Sequence, residues 1–270
     1  MKKITIIVPI YKLDDEDIIM LGNALTSVED FHNDVKIKLI APIGLKSKIE
    51  KFDFGQKLEV VPQYNTSLNT DFMSQVNFGI EECDTEWFSI LEIDDEYKKI
   101  WLDSMNEYIK AFGEGQPGSS EKVDVFLPIV KDVNVEGKFT NYTNETVWAF
   151  GFTDKQGFLN KELLLEYQNY QTSGGLYRTQ VIKEYGSFKN NLKLTFSYEF
   201  LLRLSHHGVI MMVVPKIGYQ HVNMKEKSLF WSYKNDENLK LSENEVKFWV
   251  DTARKEYFFK NKRDVKYEKK

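Results

Sequence analysis

Residues 88–97 read FSILEIDDEY, a run that is apolar for most of its length and then places Glu92, Asp94 and Asp95 within four positions. Short apolar runs of this kind are the signature of a strand buried on both faces of a parallel sheet. Carboxylates at the end of such a strand need a reason, because two ionised groups about 4 Å apart repel by about 4 kcal/mol at an effective dielectric near 20. A divalent cation removes that penalty, and hard oxygen ligands suit Mg2+ or Mn2+, which commonly hold a phosphate as well. The plainer alternative is a solvated turn whose acids cap the next helix. On a continuous strand, residues two apart share a face, so Glu92 and Asp94 are expected to point together and Asp95 to diverge.

Outward from this stretch, strands alternate with helices. KITIIVPI (3–10) reads as a first strand, and the acids Asp14 to Asp17 open a helix on which Ile18, Leu21, Leu25 and Val28 recur at helical spacing. VKIKLIAPIG (35–44) and LEVVPQY (58–64) read as two more strands, with a helix from Asp71 to Cys83 before the acidic stretch. Such βα units imply an α/β, Rossmann-like fold: a mostly parallel, doubly wound sheet flanked by helices. Ligands of these sheets sit beyond the carboxyl ends of the strands, where the three acids lie. A helix over 98–112 follows, then the polar linker GEGQPGSSEK (113–122). The linker spells G-x-G-x-x-G but follows a helix and contains Pro117, so it is not a dinucleotide fingerprint. VDVFLPIV and a hairpin across Glu136 and Gly137 turn the second half toward mixed topology. Near the end, Ser242 and Glu245 form a capping-box pair before an amphipathic helix carrying Val246, Trp249, Val250, Ala253 and Tyr257.

Composition narrows the functions available. The 270 residues suffice for one large domain, and a net charge of -5 provides no global field toward nucleic acid or anionic lipid. No apolar run reaches the ~18 residues of a membrane span, and Pro9 interrupts the N-terminal run before it forms a signal-peptide core. A cytoplasmic protein without integral membrane association is the expectation, in which the N-x-S/T triplets at Asn65, Asn141 and Asn144 have no role. The single cysteine, Cys83, excludes an internal disulfide and a cysteine-rich zinc site.

ITIIVPIYKLDDEDIIMLGNALTSV, the acids after a strand, and TSGGLYRTQVIKEYGSFKNNLKLTFSYEFLLRLSHHGVIMMVVPKIGYQHV occur in an order and spacing that resembles the family 2 glycosyltransferases of GT-A fold, over about residues 3–223. The resemblance implies a metal-dependent hexosyl- or pentosyltransferase, inverting at the anomeric carbon, that takes a nucleotide-diphospho-sugar and Mn2+ or Mg2+. It implies a GT-A domain over 1–223, with a nucleotide-sugar half (1–112) and an acceptor half (121–223), and a C-terminal helical extension with a basic tail (224–270). Pro9 and Tyr11 match the family's VPxY, which lines the nucleobase pocket. Glu92, Asp94 and Asp95 match its acidic motif, with Glu in place of the first Asp; Asp94 and Asp95 are the expected metal ligands together with His221 in GYQHV. Gly174 and Gly175 in TSGGLYR match a loop that lets backbone approach the ligand, and Arg178 is a candidate phosphate partner. In IAPIG the second strand lacks the family's usual base-holding acid.

The catalytic segment departs from the pattern. The family's general base is an Asp just before YEFLLRL, where this chain has Phe196 and Ser197, and a serine cannot take a proton at neutral pH unaided. Three readings stay open: Glu199 is the base, which is the favoured one; another acid such as Asp154 supplies it; or the protein does not transfer sugars by the usual route. Glu199 also stands four residues before Arg203, an ion-pair spacing. Asp95 is counted with Glu199 as catalytic through its metal. A non-catalytic nucleotide-sugar binder and a nucleotidyltransferase are the alternative functions. The Lys-rich style of the extension resembles enzymes of large tailed bacteriophages, which places the protein in a host cytoplasm if viral. The acceptor is open among a glycan, a protein and a hydroxylated DNA base.

Overall fold

The first strand, β1 (Ile4–Pro9), is buried along its whole length because a strand pairs with it on either edge and a packed core covers each face. In this computed structural model, residues 4–31, 35–55, 58–64, 71–114, 122–148, 157–223, 225–226 and 228–258 are described. β2 (Val35–Pro42), β3 (Leu58–Gln63) and β4 (Trp87–Ile90) run parallel to β1 in the order β3-β2-β1-β4. Beyond β4 the sheet continues through β9 (Leu176–Arg178), which is antiparallel, then β6 (Val125–Val133) and β10 (Met211–Val222), which run parallel to each other. β5 (Glu96–Tyr97) and β8 (Phe158–Leu159) add short antiparallel pairings to β10, and β7 (Phe139–Thr143) forms the expected hairpin with β6. The architecture is the anticipated α/β sheet, with every antiparallel pairing involving a strand of the second half.

Alternation along the strands builds a core on each face of the sheet. Ile6 and Val8 pack with α1 (Asp15–Thr26) and α4 (Lys99–Tyr108) through Leu21, Leu25 and Trp101, whereas Ile7 and Ile40 pack with α3 (Asp71–Glu81) through Met73 and Val76. α1 begins where the sequence placed it: Asp14 and Asp17 cap each other's backbone in a capping box. α2 (Ile43–Ile49), α5 (Lys161–Glu166) and α6 (Thr179–Tyr185) are short connecting helices, and α7 (Phe196–His206) ends on His206, with His207 as its C-cap.

Residues past 223 do not stand apart. α8 (Leu229–Asn235) stacks Phe230 on Phe196 at 5.6 Å and sets it edge-on to Phe72 at 5.4 Å. α9 (Glu243–Tyr257), with Ser242 accepting from the Glu245 amide, lays Val250 and Ala253 into the core. The basic tail expected after it, residues 259–270, lies outside the described residues. Among the described residues no helix is long and apolar enough to cross a membrane.

One expectation about the opening stretch is corrected. The strand ends at Ile90; Leu91 still donates to the Ile7 carbonyl at 3.0 Å, and a turn then carries the chain to β5. The three acids therefore sit on a turn, and strand alternation does not govern where they point.

Candidate functional site

Two parallel strands supply the walls around this turn: β1 on one side, and β10 from the far half of the sheet on the other. The Glu92 amide donates to the Tyr219 hydroxyl at 3.1 Å, and the Ser173 hydroxyl donates to the Glu92 carboxylate at 2.6 Å. Asp95 turns back toward β10, where it accepts from the Val222 amide at 2.9 Å and faces the His221 ring nitrogen at 3.0 Å. Glu92, Asp95 and His221 each offer one ligand atom, and those atoms lie within 4.8 Å of one another. Asp94 was expected in this set; its carboxylate instead points to Lys225, 3.4 Å away, and Glu92 takes its place.

The electrostatics mark the cluster as short of positive charge. Burial, reinforced by Asp95 and Asp94, pushes the Glu92 carboxyl up to about 8. Burial and Asp95 likewise raise Asp94, against the opposing pull of Lys225. For His221, burial opposes the charged form, but Asp95 and Glu92 overcome it and hold the ring up to about 10. Two carboxylate oxygens and an imidazole form a donor set that a divalent ion such as Mn2+ accepts, and a cation there would offset the repulsion that raises Glu92.

Space opens on both sides of the acids. A small pocket of about 40 Å³ brings Pro9 and Tyr11 from the end of β1 against Asp94, Lys225 and Phe230. Tyr11 has its hydroxyl pushed upward by burial and by the nearby Asp94, Asp17 and Glu92. On the other side lies a cavity of about 400 Å³ lined by Glu92, His221, Asp132, Asn141 and Ser197. Asp132, next to last in β6, is in register with His221, is 6% exposed, and accepts from the Thr143 hydroxyl at 2.6 Å. Burial raises its carboxyl, partly countered by Thr143. Glu92 and Asp132 are the carboxylates facing this cavity among the described residues. Asp132 escaped the sequence reading although one signal was available: it lies near the carboxyl end of a strand parallel to those whose ends carry the site.

Three assignments are corrected. A Cβ at Gly174 would fall 2.5 Å from the Tyr219 ring, and one at Gly175 would fall 2.6 Å from the Tyr177 hydroxyl. The glycines let protein pack closely on protein here; Gly174, at φ 78°, also accepts from the Trp101 indole. Arg178 pairs with Trp87 at the start of β4, the opposite end of that strand from the acids. There it binds Asp124 at 2.8 Å and Glu86 at 2.7 Å, with its guanidinium stacked on Trp87, so no donor is turned toward the site. Glu199 is 1% exposed and accepts from Arg203, Lys189 and the Tyr257 hydroxyl. Burial would raise it, but those partners outweigh burial and hold its carboxyl below the usual range. A carboxylate locked by three donors and facing neither cavity is not placed to deprotonate an acceptor. Asp154 lies outside the described residues.

No protein-family model and no curated protein sequence matches the chain. Solved structures match it in fold. Staphylococcus aureus TarS 1-349 in complex with UDP-GlcNAc superposes at a TM-score of 0.64 with 16% identity, over 96% of this chain and 68% of that one. The same protein in complex with UDP gives 0.58 at 17% identity, over 92% and 78%. Mannosyltransferase PcManGT from Pyrobaculum calidifontis, in complex with GDP-Man and Mn2+, gives 0.55 at 10% identity, over 83% of this chain and 58% of that one. At these identities the shared property is the fold, and it is the GT-A fold.

Proposed function

We propose that the protein is a divalent-cation-dependent glycosyltransferase that moves a sugar from a nucleotide-diphospho-sugar to an acceptor hydroxyl with inversion. The observation that carries this reading is the convergence of Glu92, Asp95 and His221 at the sheet end, between the Pro9–Tyr11 pocket and the cavity holding Asp132. The structural neighbours are glycosyltransferases in complex with UDP-GlcNAc, UDP, and GDP-Man with Mn2+, which supports it.

Glu92, Asp95 and His221 would hold Mn2+ or Mg2+, with Asp94 alongside. When bound, such an ion neutralises charge that grows on the leaving diphosphate. The base and ribose belong with Pro9, Tyr11 and Asp94. The free space there is close to one water's share of about 30 Å³, so Lys225 and Phe230 must give way to admit a nucleoside. From the opposite side the acceptor hydroxyl attacks the anomeric carbon. The bond from that carbon to the diphosphate oxygen breaks, the diphosphate leaves with the electron pair, and the hydroxyl proton passes to Asp132. A single displacement of this kind inverts the anomeric centre.

Asp132 meets the objection raised by Ser197. Ser197 does line the cavity, its hydroxyl 3.1 Å from that of Thr172, so the position still faces the acceptor while the acid comes from β6. This weakens the case for a non-catalytic binder.

The test is thermal stabilisation by UDP, GDP, CDP and TDP, each with and without Mn2+. One diphosphate raising the melting temperature only when Mn2+ is present is the expected result. Equal stabilisation in chelator, or none with any diphosphate, would overturn the reading.

A further inference from the structure

The cavity beside Asp132 does not end at α7. It shares Gln168, Leu194, Lys234 and Val246 with a larger cavity of about 670 Å³ beneath α8 and α9. Four cations line that second space, Lys234, Lys240, Lys247 and Arg254, against two carboxylates, Glu243 and Asp251. Several lysines elsewhere, Lys36, Lys38, Lys98, Lys189 and Lys225, each lie against a carboxylate. Among the described residues, none of these four cations forms a salt bridge. Arg254 spends its bonds on neutral oxygens, the Tyr198 hydroxyl at 2.9 Å and the Leu165 carbonyl.

In a chain of net charge -5, an excess of unpaired cations gathered in one concavity makes a local positive field against the overall sign. The field is continuous with the space where the acceptor would sit, and it lies apart from the acidic site. We infer that the acceptor carries phosphate: its hydroxyl enters the cavity beside Asp132 while a phosphate group of the same molecule lies among Lys234, Lys240, Lys247 and Arg254. The inference rests on the glycosyltransferase reading and names its substrate class. A phosphate offers more acceptor oxygens than a carboxylate and up to two charges. Three ammonium groups acting as point charges, with a guanidinium at their edge, match it.

Sodium tripolyphosphate is a suitable ligand for the test. In EDTA the metal-free acids repel an anion, so binding reports the cationic cavity. Calorimetry is expected to show binding to the wild type, and at least about tenfold weaker binding to the triple variant Lys234→Gln, Lys240→Gln, Lys247→Gln, which removes three of the charges. Stabilisation by the nucleoside diphosphate with Mn2+ is expected to be the same in both, because other residues line that pocket. Equal tripolyphosphate affinity in wild type and variant overturns the inference. Failure of nucleotide stabilisation instead overturns the glycosyltransferase reading, and the two results are read separately. Displacement of tripolyphosphate by a glycerol-phosphodiester oligomer but not by oligothymidylate assigns a polyol phosphate, and the reverse assigns a nucleic acid. Displacement by polyglutamate alone overturns the assignment of phosphate.

Discussion

Glu92 and Glu199 are both shielded glutamates, yet their surroundings push them in opposite directions. Around Glu92 the neighbours are Asp94 and Asp95, answered by His221 and Lys225, and its carboxyl rises to about 8. Around Glu199 the neighbours are Arg203, Lys189 and Tyr257, and its carboxyl falls. The second cluster is finished: each charge has its partner, and the result ties α7 to α9. The first gathers more acids than cations and lies beside open space. Strongly perturbed carboxyls collect at functional sites and in structural ion pairs alike, and here the neighbours, acids around Glu92 and cations around Glu199, set the opposite directions.

The largest effect expected from this contrast concerns the third acid. Asp132→Asn should lower transfer to acceptor by about 10²- to 10⁴-fold, the usual contribution of a general base, while Mn2+-dependent nucleotide binding stays as in the wild type; a variant with undiminished transfer would remove Asp132 from the mechanism. Next, Glu199→Gln leaves Arg203 and Lys189 without their carboxylate, and chemical denaturation should show a loss of about 3 kcal/mol, with turnover per folded molecule unchanged. A turnover defect larger than the folding defect would bring Glu199 back as a catalytic group. Glu92→Gln is the mirror image: at least about tenfold weaker Mn2+-dependent nucleotide binding, with a melting temperature in chelator equal to or above that of the wild type.

The smallest effect is one of pH. Glu199 has its folded pKa depressed below the ordinary glutamate value of 4.5, so its contribution to stability is fully present above that value and is lost as pH falls through the lower, folded one. The stability gap between wild type and Glu199→Gln should therefore be constant from about pH 6 to 8 and should shrink below about pH 4.5. A gap that instead closed on the alkaline side would contradict the ion-pair account.

Much of the fold was legible because its signals are local. Ile4 to Pro9 and Val35 to Pro42 read as buried strands from composition alone, and Asp14 with Asp17 marked a helix start that the structure keeps. The acids of 92–95 were visible for the same reason. What failed was the assignment of partners. TSGGLYR reads the same whether its glycines face a ligand or a tyrosine ring, and Arg178 carries the same letters whether it meets a phosphate or Glu86. His221 was named from a resemblance rather than from any local pattern, and its partner Asp95 lies 126 positions earlier in the chain.

The sequence by itself determined the strand and helix order, the helix caps, and the end of the sheet at which the carboxylates collect. Only the tertiary structure decided that Glu92 rather than Asp94 joins Asp95 and His221, that Glu199 is fully paired, and that Asp132 faces the cavity beside Glu92 and His221. Periodicity and capping act over a few neighbouring residues, whereas the energy of a charge depends on which groups approach it through space, and chain spacing does not record that distance.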